Sequence, residues 1–189
     1  MSYPNFDNLL LELGLSAPQI ENLLFSFKSA QFKKGHHILN INEVFSHVYL
    51  LSEGSVRFYY LTPDGNEANK LFLFDKDVFF PVAPIARNRP SLFGIVTCEQ
   101  TRLRFIDFDQ FKEQLTTLNI WDKFYMTYLE WLADAKIDRE YRLLTLDKSE
   151  LIHQLTLKEP KLFERISDCH IASYLGMSPV TFSRLKHSP

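Results

Sequence analysis

The sequence predicts an α+β chain in which a block of short strands precedes one long helix and a small all-helical tail. Three observations carry this. Between residues 31 and 108, runs of roughly five to eight residues rich in Val, Phe, Tyr, Leu and Ile alternate with turn residues, with no helical pattern between them. From Phe111 to about Leu146 there is neither proline nor glycine, and apolar residues recur at helical spacing. Beyond that point the apolar runs shorten and are punctuated by Pro160 and Gly176. The 189 residues are enough for one large domain or two modest ones, and 46% hydrophobic against 23% charged residues is an ordinary globular balance. With 17 phenylalanines, the core should be Phe-heavy.

In chain order, residues 5 to 28 place Phe6, Leu9, Leu10, Leu13, Leu15, Ile20, Leu23, Leu24 and Phe27 at helical intervals, and Gly14 and Pro18 divide them into two short helices. In "VYLLSEGSVRFYYLTPDGNEANKLFLF", Val56, Phe58 and Tyr60 fall on one strand face and Arg57, Tyr59 and Leu61 on the other. Asp64-Gly65 supplies the positive-φ positions of a tight hairpin. In "TRLRFIDF", Leu103 and Phe105 oppose Arg102 and Arg104. Successive strands without crossover helices indicate an antiparallel barrel or sandwich. The helix that follows carries a stripe of Leu118, Trp121, Tyr125, Tyr128, Leu132 and Ala135. Such a stripe either lies back on the β domain or packs against a second copy of the chain, and any dimer contact is expected between about 118 and 135.

The tail "ISDCHIASYLGMSPVTFSRLKHSP" is the most informative stretch. Ser167 can cap a helix that buries Ile171, Ala172 and Leu175, and Gly176 can end it in the left-handed conformation. Ser178 is a strong N-cap, with Pro179 at the first helical position. Phe182 and Leu185 can pack back on the first helix, leaving Val180, Thr181, Ser183, Arg184 and Lys186 outward. Two short helices joined by a glycine-containing turn form a helix-turn-helix, whose second helix enters the major groove; a plain helical hairpin closing a core has the same spacing. From Lys161 onward there are four Lys and Arg against two Asp and Glu, a local positive excess on a chain of net charge -2.

Over nearly its whole length the chain resembles the Crp/Fnr family of bacterial transcription regulators. The stretches "QFKKGHHIL", "VYLLSEGSVRFYY", "FDKDVFF" and "IASYLGMSPVTFSRLK" carry the resemblance. It implies a cyclic-nucleotide-binding-like antiparallel β-roll, jelly-roll-like, over 1–115, a long dimerisation and linker helix over 116–146, and a helix-turn-helix domain of winged-helix type over 147–189. That last domain is similar to a branch lacking the wing. Implied partners are double-stranded DNA, a second copy of the chain and RNA polymerase. The DNA-facing set would be Ser178, Pro179, Val180, Thr181, Ser183, Arg184 and Lys186.

The chain departs from the family at the phosphate cassette, a Gly-Glu pair followed by Arg-Ser-Ala. Phe80-Pro81 and Pro90-Ser91-Leu92 stand at those places, so cyclic AMP is not expected to bind. Arg87, Asn88, Arg89 and Ser91 are the residues left to hold another anion, although a solvated loop is the simpler expectation. No cofactor is expected: Cys98 and Cys169 cannot supply the thiolates of an iron–sulfur cluster.

Other function classes fare worse. A cupin-like metal centre needs converging ligands, and adjacent His36 and His37 point to opposite faces of a strand. There is no Gly-rich phosphate loop, nucleophile elbow or HExxH, and Asp107 and Asp109 read as solvated residues rather than an acid/base pair, so no catalytic or metal residue is assigned. A dimeric β-roll that meets another protein, with a vestigial tail, is the main alternative. No apolar run approaches the roughly 20 residues of a membrane span, and "MSYPNFDNLL" does not have the pattern of a signal peptide, so a cytoplasmic location is expected.

Overall fold

The computed structural model describes residues 5–87 and 89–186. The first apolar repeat folds as α1 (Phe6–Glu12) and α2 (Ala17–Phe25), divided at Gly14 with φ 94°, and Pro18 lies in the first turn of α2. Eight strands follow: β1 (Lys28–Phe32), β2 (His37–Leu39), β3 (His47–Glu53), β4 (Val56–Leu61), β5 (Glu67–Leu73), β6 (Val78–Phe79), β7 (Gly94–Thr97) and β8 (Thr101–Asp107), with the short α3 (Pro84–Arg87) before β7. They form two antiparallel four-stranded sheets, ordered β1-β8-β3-β6 and β2-β7-β4-β5.

Alternation along the strands builds the layers. Leu39, Phe45, Leu51, Val56, Phe58, Leu73, Phe79, Ile95 and Leu103 fill the space between the sheets. The outer face of the first sheet carries Val48, Leu50, Val78 and Ile106 into a second core with α1, α2 and the helices after β8. The second sheet gives Phe72 to a third core made by the tail. Because both faces of β4 are covered, Arg57 and Tyr59 are buried alongside Val56 and Phe58, while Tyr60 and Leu61 are exposed. The expected two-faced alternation of β4 therefore fails at its end. At the hairpin only Gly65 has positive φ, 78°; Thr62 N and Thr62 O bond Asn66 O and Gly65 N across a longer loop.

The expected single long helix is two: α4 (Phe108–Thr117) and α5 (Trp121–Thr145). Asn119 at φ 59° makes the break, and Leu118 caps α4 rather than lying on the long helix. Asp107 opens α4, accepting from Asp109 N at 2.9 Å, so it is a helix cap. The aromatic stripe is also corrected. Tyr128 is 2% exposed, beside fully buried Phe124, and donates its hydroxyl to Val78 O at 2.8 Å. Tyr125 donates to Val82 O at 2.8 Å, and Leu118, Trp121 and Leu132 pack against the same core. This stripe packs against the β domain, with Tyr128 buried and Leu118, Trp121, Tyr125, Leu132 and Ala135 half-buried. The outward face of α5 instead carries Met126, Ala133, Ile137, Tyr141 and Leu144.

The tail holds four helices, not three: α6 (Lys148–Lys158), α7 (Pro160–Arg165), α8 (Asp168–Tyr174) and α9 (Pro179–Lys186). Pro160 opens α7, since a proline at the first helical position loses no hydrogen bond.

Candidate nucleic-acid interface

Four local devices shape the tail motif. Gly176 turns the chain out of α8 at φ 67°, and Met177 N bonds back to Ala172 O at 3.0 Å, so both ends of the turn are tied to α8. Ser178 Oγ accepts from Thr181 N at 3.1 Å and bonds Thr181 Oγ1 at 2.9 Å, capping α9. Fully buried Phe182 drives α9 onto Ile171 and Ala172. Ser167 takes the N-cap backbone position of α8, but its side chain makes no capping bond.

The seven residues expected to face DNA divide by environment. Ser178, Pro179, Val180, Ser183 and Arg184 are exposed, four of them on α9. Thr181 is half-buried, its hydroxyl shared with Ser178. Lys186 is turned away: its ammonium pairs with Asp168 at 2.8 Å and covers the rings of Phe163 and Phe182. That pairing removes it from the outward face.

The tail is seated on the outer face of the second sheet by polar contacts the sequence did not disclose. Arg165 bonds Asp75 at 2.5 Å and Glu99 at 2.6 Å. Burial works to raise the Asp75 carboxyl, but the Arg165 and Gly54 hydrogen bonds prevail and hold it below the usual range. Asn69 N donates to Ser173 Oγ at 3.0 Å, and Asn69 Nδ2 donates to His170 O at 3.1 Å. Arg57 supports Asn69 at 2.9 Å and pairs with Glu67 at 2.6 Å.

The loop expected to hold an anion is occupied by internal contacts. Arg87 lies over the Phe108 and Tyr125 rings, at 5.3 and 5.9 Å. Ser91 is 1% exposed and its Oγ donates to Phe93 O at 2.8 Å. Ser91 is thus enclosed, whereas Arg87 is half-buried on those rings. Arg89 is exposed, and Asn88 lies outside the described residues. Phe80, at the place of the cassette glycine and just before Pro81, is buried against Phe108, Phe124 and Tyr128. Between the sheets, the rings of Phe45, Tyr49, Phe58, Phe79 and Phe93 pack on one another.

His36 stacks on Phe32 at 4.5 Å, whereas His37 meets the Tyr59 hydroxyl at 3.4 Å, so the two point apart. Among the described residues, no group of three His, Cys, Asp or Glu is placed to hold a metal ion, and no helix is long and apolar enough to cross a membrane. Cys98 and Cys169 are unbonded thiols, and burial pushes Cys98 up to about 12.

Residues 29–117 match the family model of the cyclic nucleotide-binding domain. No curated protein sequence is similar to the chain. Among the solved structures that share its fold are the following three. The c-di-GMP responsive global regulator CLP of Xanthomonas campestris is 17% identical, with 90% of this chain and 89% of that one covered at a TM-score of 0.71. A CooA mutant from Carboxydothermus hydrogenoformans is 20% identical, with coverage of 94% and 82% and a TM-score of 0.71. FixK2 from Bradyrhizobium japonicum is 21% identical, with coverage of 85% and 82% and a TM-score of 0.66. The sheets of this chain thus contain a stretch, residues 29–117, that matches the cyclic nucleotide-binding domain, and the two sheets covered by helices, the long helix and the helical tail together share the fold of these three structures.

Proposed function

We propose that this chain is a cytoplasmic transcription regulator that binds double-stranded DNA as a homodimer through α9 and does not respond to cyclic AMP. The observation that carries the reading is the division of α9: Phe182 anchors one side in the tail core, while Val180, Ser183 and Arg184 are exposed on the other. Val180 offers a methyl to thymine, Ser183 a hydroxyl to phosphate or base, and Arg184 a fork for guanine or phosphate. Selection from random duplexes at fixed salt should enrich a two-fold symmetric site with half-sites about one DNA turn apart. Recovery of no enriched symmetric sequence contradicts the reading and favours a protein-interaction module.

The homodimer seam in this reading is the outward face of α5, where Met126, Ala133, Ile137, Tyr141 and Leu144 recur at helical spacing. The dimer would set the two α9 helices for one symmetric site, with RNA polymerase as its eventual partner. The lack of a cyclic AMP response is supported by Phe80 and Pro81 at the cassette and by the rings filling the space between the sheets. Calorimetry with cyclic AMP should give no saturable heat; micromolar binding would sink that part.

A further inference from the structure

The edge of the second sheet is closed by a helix rather than by a strand. β5 is the last strand in the order β2-β7-β4-β5, so its outward N–H and C=O groups need partners. Ser173 of α8 supplies them from one hydroxyl: its Oγ accepts from Asn69 N at 3.0 Å and donates to Glu67 O at 2.9 Å. Just past Asn69 the strand bulges, with Asn69 pairing Tyr59, Leu71 pairing Phe58 and Lys70 unmatched. His170 lies three residues before Ser173 and so on the same face of α8.

The side chain of Asn69, 4% exposed, fixes the protonation state of that histidine. Arg57 has no acceptor, so the Asn69 atom it bonds at 2.9 Å is the amide oxygen. Asn69 Nδ2 therefore points at α8, where it donates to His170 O at 3.1 Å and stands 3.4 Å from His170 Nδ1. A donor there needs a lone pair on Nδ1, so the imidazole that fits is neutral, with its proton on Nε2. A second proton would set one N–H against another. Burial holds the imidazole below the ordinary histidine range; Arg57 from β4 and Lys34 from the turn after β1 lower it further, and Glu67 from β5 works against them. Of the other charges on helices beside α8, Arg165 of α7 pairs with Asp75 and Glu99, and Lys186 of α9 with Asp168. Arg139 of α5 donates to Tyr174 O at 3.0 Å.

We propose that His170 is an acid-sensitive latch: once protonated, it releases α8, and with it the tail motif, from the edge of β5. α9 moves with α8 because Phe182 shares one core with Ile171 and Ala172. A released imidazole titrates near about 6.5 and the docked one lower, so the docked state binds fewer protons and weakens as pH falls below about 6.5. The Arg165 clamp does not titrate in that window, because Asp75 is held below the usual carboxylate range. Asp77 does titrate there, but acid relieves its repulsion by Glu159 and so favours the docked tail. The latch stands on the contacts of α8 and does not depend on DNA binding by α9.

Hydrogen exchange of the full chain, followed residue by residue at about pH 7.5 and about pH 5.5 and corrected for intrinsic rates, tests it. The expected result is a loss of protection at the Asn69 amide by about threefold or more in acid, with fully buried Leu103 of β8 unchanged. His170→Gln, which keeps an acceptor and takes no proton, should hold the same protection at both pH values. His170→Arg, charged at both, should be open at both, and His170→Gln keeps the test valid if His170→Arg fails to fold. Asp77→Asn should retain the native pH dependence at Asn69. No acid loss at Asn69 in the native chain, the same loss in His170→Gln, an equal loss at Leu103, or a pH dependence abolished by Asp77→Asn overturns the latch.

Discussion

Asp77 is half-buried just before β6, bonded from Phe74 N at 2.7 Å. Burial pushes its carboxyl up to about 7; Glu159 and Asp75 add to the rise, against that hydrogen bond and Lys161. An unfolded aspartate titrates near about 3.9, so between about pH 4 and pH 7 the folded chain binds the extra proton. This group's contribution therefore disfavours the fold as pH rises through that window. Asp77→Asn keeps an acceptor and carries no charge. It should be more stable than the native chain at pH 8, with the gap closing towards pH 4 in urea melts; a gap independent of pH contradicts this. A second test concerns Gly54, at φ 109°, where a Cβ would stand 2.7 Å from Thr101 Cα. Gly54→Ala should lower the melting temperature by several degrees. Legibility at this scale follows sequence distance. Ser178 and Gly176 act on neighbours within a few residues and could be read directly. Arg165 reaches Asp75 across 90 positions, and the bulge at Lys70 exists only once β4 and β5 are in register.

Among elements, the helical period after residue 110 was visible, but its break and its inward face were not. Asn119 adopts positive φ without the glycine that usually signals it, so no punctuation marked the α4–α5 turn. The aromatic stripe had two outlets in sequence terms, the β domain or a partner. The packing of Phe124 and Tyr128 on Phe80 selects the first. Phe124→Ala, emptying a fully buried site, should cost about 3–5 kcal/mol, measured by chemical denaturation. Ile137, 64% exposed, belongs to the other face. Ile137→Glu should leave folding intact and yield monomers in sedimentation; an unchanged oligomeric state would remove α5 as the seam.

The whole molecule joins a domain whose interior is packed with its own rings to a tail tied down by Arg165, Asn69 and Ser173. The α+β class and the order of strands, long helix and helical tail were legible because period and punctuation are local. The seating of the tail was not, because it depends on charges from β4, β5 and the loops meeting α7 and α8. Arg165→Ala leaves Asp75 and Glu99 without their shared partner, and proteolysis should then cut between the β domain and the tail faster than in the native chain. Equal cleavage rates would mean that the clamp does not hold the tail.

In the proposed function, the outward face of α9 reads DNA. Its most direct test is anisotropy titration of the native chain and Arg184→Ala on the selected duplex and on a scrambled one, at several salt concentrations. Arg184→Ala should lose about 1–3 kcal/mol on the selected duplex and little on the scrambled one. Equal affinity of both proteins for the selected duplex at every salt concentration would contradict it.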